Sequence, residues 1–152
     1  MTLSPADMLC FALYSTAHAV QSAYVPLLEP LGLTYPQYLV LSALAAKDGQ
    51  TVGEIGAAVR LETNTLTPLL KRMEAAGWLT RRRDPQDERQ VRLTLTAAGQ
   101  ALAGQTQAVP AAFAARTGLP MDQIADLRDV LNTLRDRLKP GKAAVPAQGA
   151  QD

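Results

Sequence analysis

Apolar residues recur at helical spacing over most of this 152-residue chain. The clearest stripe runs from Leu66 to Met73, and Gly77 follows it where a helix commonly ends. Pro26 and Gly32 are expected to break the first helix. The pattern predicts helices over 7–24, 37–46 (opened by Tyr35-Pro36), 52–59, 62–76 and 121–138, with a further helical stretch from Thr96 that is interrupted near Pro110.

Two short segments, 78–83 and 90–95, are predicted to be strands. In the second, Val91, Leu93 and Leu95 alternate with Arg92 and Thr94, which is the pattern of a half-buried strand. Between them lies a hairpin tip rich in charged residues. A short helix, a turn, a longer helix and a hairpin therefore follow one another, which is the order of a winged helix-turn-helix over residues 35–96. The predicted fold is mainly α with a small β-wing, in one domain over 1–152, whose tail at 140–152 is too poor in apolar residues to pack and is expected to be disordered.

Charge is distributed unevenly along the chain, although the net charge is only +1. Between residues 60 and 95, eight basic and five acidic residues give a local excess of +3, which suits contact with phosphates. No signal peptide and no apolar stretch of about 20 residues is recognisable, so we expect a cytoplasmic protein without a membrane partner. With one cysteine and one histidine, neither an intrachain disulfide nor a metal site is expected, and no cofactor is implied.

Small polar side chains open the predicted fourth helix, where they can reach base edges and phosphates. Basic side chains follow two turns later, and an arginine at the hairpin tip can enter a narrow minor groove. The alternative is that the threonines only cap the helix and that the basic pair is a solvent-exposed face without a binding role. The candidate DNA-binding residues are Glu62, Thr63, Asn64, Thr65, Thr67, Lys71, Arg72, Arg82, Asp87 and Arg89.

The run TRRRDPQDERQVRLTLTAAG (80–99) resembles the wing signature of the MarR family of transcription regulators. Within that family, LCFALYS (9–15), YVPLLEPLGLTYPQYLVL (24–41) and TLTPLLKRMEAAGWLTRRRD (65–84) resemble the organic hydroperoxide resistance regulators of the one-cysteine class. The resemblance covers nearly the whole chain up to the tail. One departure is LETNTLTP at 61–68, where the family commonly has LDSGTLTP, so the operator preference is expected to differ.

The resemblance implies a homodimeric repressor, with 1–34 and 97–139 as dimerisation helices, that binds a pseudo-palindromic operator on double-stranded DNA. It implies that Cys10 is the reactive thiol, that Tyr24 and Tyr35 hydrogen-bond it, and that Asp87 and Arg89 form the wing tip. Such a protein releases its operator when an organic hydroperoxide oxidises the cysteine. With no second cysteine in the chain, a low-molecular-weight thiol must then resolve the sulfenic acid.

Helical geometry adds a constraint on the sensing residues Cys10, Tyr14, Tyr24 and Tyr35. Tyr14 lies on the same face as Cys10, about 6 Å along the helix axis. Tyr24 lies about 21 Å from Cys10 on a continuous helix, so it can reach only the thiol of another chain. The residues alone leave open that Cys10 is a buried structural hydrophobe.

Two alternatives compete with the redox sensor. The first is a MarR-type repressor that a small phenolic or aromatic ligand releases from DNA, with Cys10 structural. The second is a thiol peroxidase, but the chain has no resolving cysteine and no evident nucleophile–base–carboxylate set, so no enzymatic activity is expected.

Overall fold

The computed structural model describes residues 4–139, so the predicted tail at 140–152 lies outside the described residues. Seven helices and two strands follow one another in this part of the chain. They are α1 (Leu9–Leu28), α2 (Tyr35–Ala46), α3 (Val52–Val59), α4 (Thr63–Ala75), β1 (Leu79–Arg83), β2 (Val91–Leu95), α5 (Ala97–Gln105), α6 (Val109–Thr117) and α7 (Met121–Arg137), with short 3-10 turns at Pro5–Asp7, Glu29–Leu31 and Thr106–Ala108.

The chain divides into two compact units, Met1–Phe113 and Ala114–Asp152. In the first unit, one apolar core joins α2, α3, α4 and the strands, and Leu41, Ile55 and Leu70 are fully buried in it. The second unit contains α7, along which Val130 is 63% exposed. Within residues 4–139, no helix combines the length and the apolar character that crossing a membrane requires.

Helices α2 and α3 match their predicted bounds because strong N-terminal signals fix them. At α3, Thr51 and Glu54 form a capping box: the Glu54 N–H donates to Thr51 Oγ1 at 3.1 Å, and the Thr51 N–H donates to Glu54 Oε2 at 2.7 Å. The predicted buried stripe of α4 is also confirmed, since Leu66, Leu69, Leu70 and Met73 are all buried.

The predicted end of the first helix is wrong. Helix α1 continues past Tyr24 and contains Pro26. Proline removes one intrahelical hydrogen bond, here near the C-terminal end, where few bonds remain to be broken. Leu28, two residues further on, is 1% exposed, and its burial in the core offsets that cost.

The interruption predicted near Pro110 is confirmed and falls at the 3-10 turn Thr106–Ala108. Pro110 itself lies in the first turn of α6, where a missing N–H is tolerated best. The hairpin is antiparallel, with Leu79 opposite Leu95 and Arg83 opposite Val91. On β2, Leu93 and Leu95 are buried while Arg92 and Thr94 are exposed, as the alternation predicts.

Candidate DNA-reading surface and cysteine site

The N-terminal turn of α4 presents a row of short polar side chains. Glu62 is the N-cap residue, Thr63, Asn64 and Thr65 are exposed, and Thr67 is half-buried. The buried leucines of the same helix hold its opposite face against the core, so the row is fixed in direction. The basic residues Lys71 and Arg72, further along α4, are also exposed.

The wing tip is organised around one carboxylate. Asp87 Oδ1 accepts hydrogen bonds from the Arg89 backbone N–H at 3.2 Å and from Arg89 Nε at 3.0 Å. The Arg89 side chain is nevertheless 90% exposed. The tip therefore holds a guanidinium in a defined direction while leaving it accessible, and Arg82 on β1 is exposed as well.

The wing stem contains a contact that the sequence did not reveal. Arg92 Nε donates to Asp84 Oδ2 at 2.7 Å, and Arg92 Nη1 donates to the Gly49 carbonyl at 2.9 Å. Asp84 is buried, and the Gln86 backbone N–H, followed by Arg92, lowers the pKa of its carboxyl group. The exposed position of Arg92 in the strand alternation suggested only a solvated side chain.

Cys10 is exposed and is the second residue of α1. Its neighbours Leu9, Phe11 and Tyr14 are exposed as well, at 63%, 45% and 64%. Tyr14 packs edge-on against His18, with ring centroids 4.6 Å apart. This end of α1 therefore presents an apolar surface together with the thiol.

Tyr24 and Tyr35 meet at the other end of α1, with ring centroids 4.8 Å apart. Tyr24 also stacks on Phe113 at 4.4 Å and lies 5.8 Å from Tyr38, two aromatic residues that sequence reasoning did not assign to the site. Only their place on predicted helices was visible in the sequence, because the packing that joins them is tertiary.

Burial raises the pKa of the Tyr24 phenol to about 12, with smaller contributions from Tyr38 and Tyr35. Burial, followed by Tyr38, also raises the pKa of Tyr35. Both phenols are therefore neutral and can donate a hydrogen bond. Within residues 4–139, neither hydroxyl forms one.

The structure thus brings Tyr24 and Tyr35 together and leaves Tyr14 beside Cys10 at the opposite end of the same helix. Fourteen residues of helix separate Cys10 from Tyr24, which is about 21 Å. Among the residues that the structure describes, no group of three or more His, Cys, Asp or Glu side chains could hold a metal ion.

Comparison with known proteins identifies the family. The MarR family model matches residues 33–91. The HTH-type transcriptional regulator TtmR of Methylorubrum extorquens (strain PA1) is 46% identical over 146 residues, which is 95% of this chain and 75% of that protein. The organic hydroperoxide resistance transcriptional regulator of Bacillus subtilis (strain 168) is 37% identical over 132 residues, which is 87% of this chain and 90% of that protein.

Among solved structures, the overoxidised AbfR bound to DNA is 38% identical with a TM-score of 0.69, over 88% of this chain and 94% of that chain. AbfR has also been solved reduced on DNA and in a disulfide form. These relatives are regulators rather than enzymes. The chain belongs to the MarR family of winged-helix, DNA-binding transcriptional regulators.

Proposed function

We propose that this protein is a homodimeric repressor that senses organic hydroperoxides through oxidation of Cys10 and then releases its operator. One observation carries the proposal. The exposed thiol lies at one end of α1, and a pair of unengaged phenols lies at the other end, where Tyr24 of α1 meets Tyr35 of α2.

Two antiparallel copies of α1 would bring these ends together. The thiol of one chain would then lie beside Tyr24 and Tyr35 of the other, and the exposed Leu9 and Phe11 would be covered. Phenol O–H groups that donate to the sulfur favour the thiolate over the thiol. The sensing site is therefore shared between subunits, with Tyr14 lining it beside its own Cys10.

The chemistry follows from a thiolate in an apolar surrounding. The sulfur attacks the terminal oxygen of the hydroperoxide, and an S–O bond forms as the O–O bond breaks. The alkoxide leaves and takes up from water the proton that the thiol released, so the cysteine is oxidised to a sulfenic acid. A low-molecular-weight thiol then condenses with the sulfenic acid, which gives a mixed disulfide and water. The apolar neighbours of Cys10 favour an alkyl or lipid hydroperoxide over hydrogen peroxide.

The reading surface is proposed to bind a pseudo-palindromic operator in the cytoplasm. The N-terminal residues of α4, from Glu62 to Thr67, would face base edges in the major groove, and Lys71 and Arg72 would contact phosphates. Arg89, directed by Asp87, would enter the adjacent minor groove, with Arg82 near the backbone. A bulky adduct on Cys10 would shift the subunits and change the spacing of the two half-sites.

The relatives support both parts of the proposal. One is named an organic hydroperoxide resistance regulator, and AbfR has been solved on DNA in reduced and overoxidised forms.

The direct test is fluorescence anisotropy of the reduced protein on its operator, titrated with cumene hydroperoxide. We expect release near one peroxide per subunit, with sulfenate trapped at Cys10 by mass spectrometry. Cys10→Ser should bind the same DNA and remain bound. Binding that survives excess peroxide in the parent protein, or release that persists in Cys10→Ser, would contradict the proposal.

A cavity of about 440 Å³ between α2 and α5 supports a second candidate, release by a small phenolic ligand with Cys10 structural. Its lining includes Tyr38, Ser42 and Gln100, and its volume lies in the range of small-ligand sites. Release of the Cys10→Ser protein by salicylate would favour this reading.

A further inference from the structure

One arginine links the wing stem to the rest of the DNA-reading unit. Arg92 lies on β2 opposite Arg82 of β1, near the end of the strand pairing. Its guanidinium donates to the carboxylate of Asp84, where the tip loop begins, and to the carbonyl of Gly49 in the α2–α3 turn. A single guanidinium on β2 therefore connects the start of the tip loop to the α2–α3 turn, where Gly49 lies 43 positions before Arg92 in the chain.

Asp84 is in turn hydrogen-bonded to two residues of the tip loop. Its Oδ1 accepts from the Gln86 backbone N–H at 2.9 Å, and its own N–H donates to the Gln90 carbonyl at 2.9 Å. Asp84 thus bonds to both sides of the loop that carries Arg89, to Gln86 through its carboxylate and to Gln90 through its backbone N–H. Without the Arg92 guanidinium, Oδ2 of this buried carboxylate would lose its donor.

The α2–α3 turn is a firm anchor. Gln50 is buried, and its Nε2 donates to the carbonyls of Ala43 and Lys47 at 2.9 and 2.6 Å. The Gln50 carbonyl in turn accepts from the Leu93 N–H at 2.8 Å. Gly49 therefore lies in a segment that is bonded both to α2 and to β2.

The wing does not fix its own angle. It is a two-stranded ribbon whose pairing ends at Arg83 and Val91. Two-stranded ribbons twist more than larger sheets and are marginally stable alone. Backbone bonds from β2, such as that from the Leu93 N–H to the Gln50 carbonyl, tie the base of the wing to the α2–α3 turn. Toward the tip, Arg92 supplies the side-chain contact that joins Asp84 to that turn.

We propose that Arg92 is a positioning residue for DNA reading. By joining Asp84 to Gly49, it holds the wing at the angle that presents Arg89 to the minor groove while α4 occupies the major groove. This inference rests on the proposed role of Arg89 in DNA binding.

The test is a double-mutant cycle on the full-length reduced protein. The probe is the duplex that the wild-type protein selects from a random-sequence pool, and binding is measured by anisotropy over a range of salt concentrations. We expect Arg89→Ala to weaken binding about tenfold. Arg92→Gln should cost a similar factor, and adding Arg89→Ala to it should cost less than about twofold more, because the tip is already misplaced.

The salt dependence separates positioning from a direct phosphate contact. The slope of log K against log salt is negative, and each lost phosphate contact reduces its magnitude by about one. If Arg92 only positions Arg89, the magnitude of the slope falls by about one in each single variant and by no more than that in the double variant. Two independent contacts would instead lose about two units in the double variant and would overturn the proposal.

Control variants guard against a general loss of folding. Lys47→Gln removes an exposed ion pair to Glu54 at the same turn and should leave the cost of Arg89→Ala unchanged. Arg92→Lys keeps the charge but cannot make both contacts, so it should show an intermediate coupling even if Arg92→Gln folds poorly.

Two results overturn the inference and are distinguishable. A full tenfold cost of Arg89→Ala in the Arg92→Gln or Arg92→Lys background would show that Arg92 does not position the tip, and the proposed function would stand. If Arg89→Ala has no effect in the parent protein, the wing does not read DNA and the proposed function fails with the inference.

Discussion

Tyr24 is the residue whose chemical state matters most to the sensing site. Its folded-state pKa of about 12 lies above the ordinary value of 10.0, so the phenol keeps its proton throughout the neutral range. It can therefore donate a hydrogen bond to a thiolate throughout that range.

Tyr24→Phe should leave the ring stack on Phe113 intact and remove only the hydroxyl. We expect unchanged operator binding and about tenfold slower oxidation of Cys10, because one donor to the thiolate is lost. Because the lost donor favours the thiolate over the thiol, the ratio of wild-type to variant rates should be largest near pH 6 and should fall toward pH 9. Sulfenate trapping with stopped-flow kinetics measures both quantities.

Tyr38→Phe is the matched control, because it removes a phenol from the same aromatic cluster that is not assigned to the thiol. Equal slowing by both variants would show that the cluster acts through packing rather than through a specific donor.

Asp84 makes the stability of the wing sensitive to acid. Its pKa is lowered in the folded protein, first by the Gln86 N–H and then by Arg92. A lowered carboxyl pKa contributes stability above the unfolded value of about 3.9, and this is lost as the pH falls through the folded value.

The gap in unfolding free energy between wild type and Asp84→Asn should therefore be wide at pH 7 and narrow below about pH 4. Urea denaturation at both pH values measures it, with the exposed Asp126→Asn as control. A gap that does not change with pH would mean that the bonds from the Gln86 N–H and Arg92 to this carboxylate do not persist in solution.

Among the helices, α5 is joined to the winged helix by an unusually close approach. The Thr96 hydroxyl donates to the Gly77 carbonyl at 2.6 Å and accepts from the Gly99 N–H at 3.0 Å. A Cβ atom built on Gly99 would lie 1.8 Å from the Trp78 carbonyl oxygen. Only glycine allows the start of α5 to pack here.

Gly99→Ala should consequently destabilise the protein by about 2–4 kcal/mol, because backbone must move to relieve the overlap. Gly104→Ala is the matched control on the same helix, since nothing lies within 4 Å of its added Cβ. It should be neutral or stabilise the helix by up to about 1 kcal/mol. Urea denaturation measures the free energy of unfolding of both variants. Equal changes in the two would contradict the close packing at Gly99.

Local signals explain which elements the sequence predicts well. The apolar stripe from Leu66 to Met73 predicted the buried face of α4, and the alternation along 90–95 predicted which residues of β2 are buried. The contact of Arg92 with Gly49 joins residues 43 positions apart. Such pairing depends on how α2 packs against the hairpin, which no local pattern encodes. The continuation of α1 through Pro26 was missed for the same reason, because the burial of Leu28 is tertiary.

At the scale of the whole molecule, apolar surface is exposed on both α1 and α7. On α7, Val130 is 63% exposed, and Leu127 and Leu131 are exposed at 49% and 38%. Exposed apolar stripes of this kind mark association surfaces. We expect a second copy of the chain to cover them.

Val130→Asp should therefore give a monomer in sedimentation and weaken operator binding by about 100-fold or more, because a single reader binds one half-site. Thr133→Glu adds the same charge outside the stripe and should remain dimeric. A dimeric Val130→Asp protein would exclude this face of α7 from the interface.

We propose that the sensing site is shared between subunits, and a heterodimer distinguishes such a site from one formed within a single chain. Chains carrying Cys10→Ser and Tyr24→Phe are co-expressed with different affinity tags, and the mixed dimer is purified. A shared site predicts that Cys10 of the Tyr24→Phe chain is oxidised by cumene hydroperoxide at the wild-type rate, because its partner supplies an intact Tyr24. Oxidation at the slow rate of the Tyr24→Phe homodimer would contradict the account.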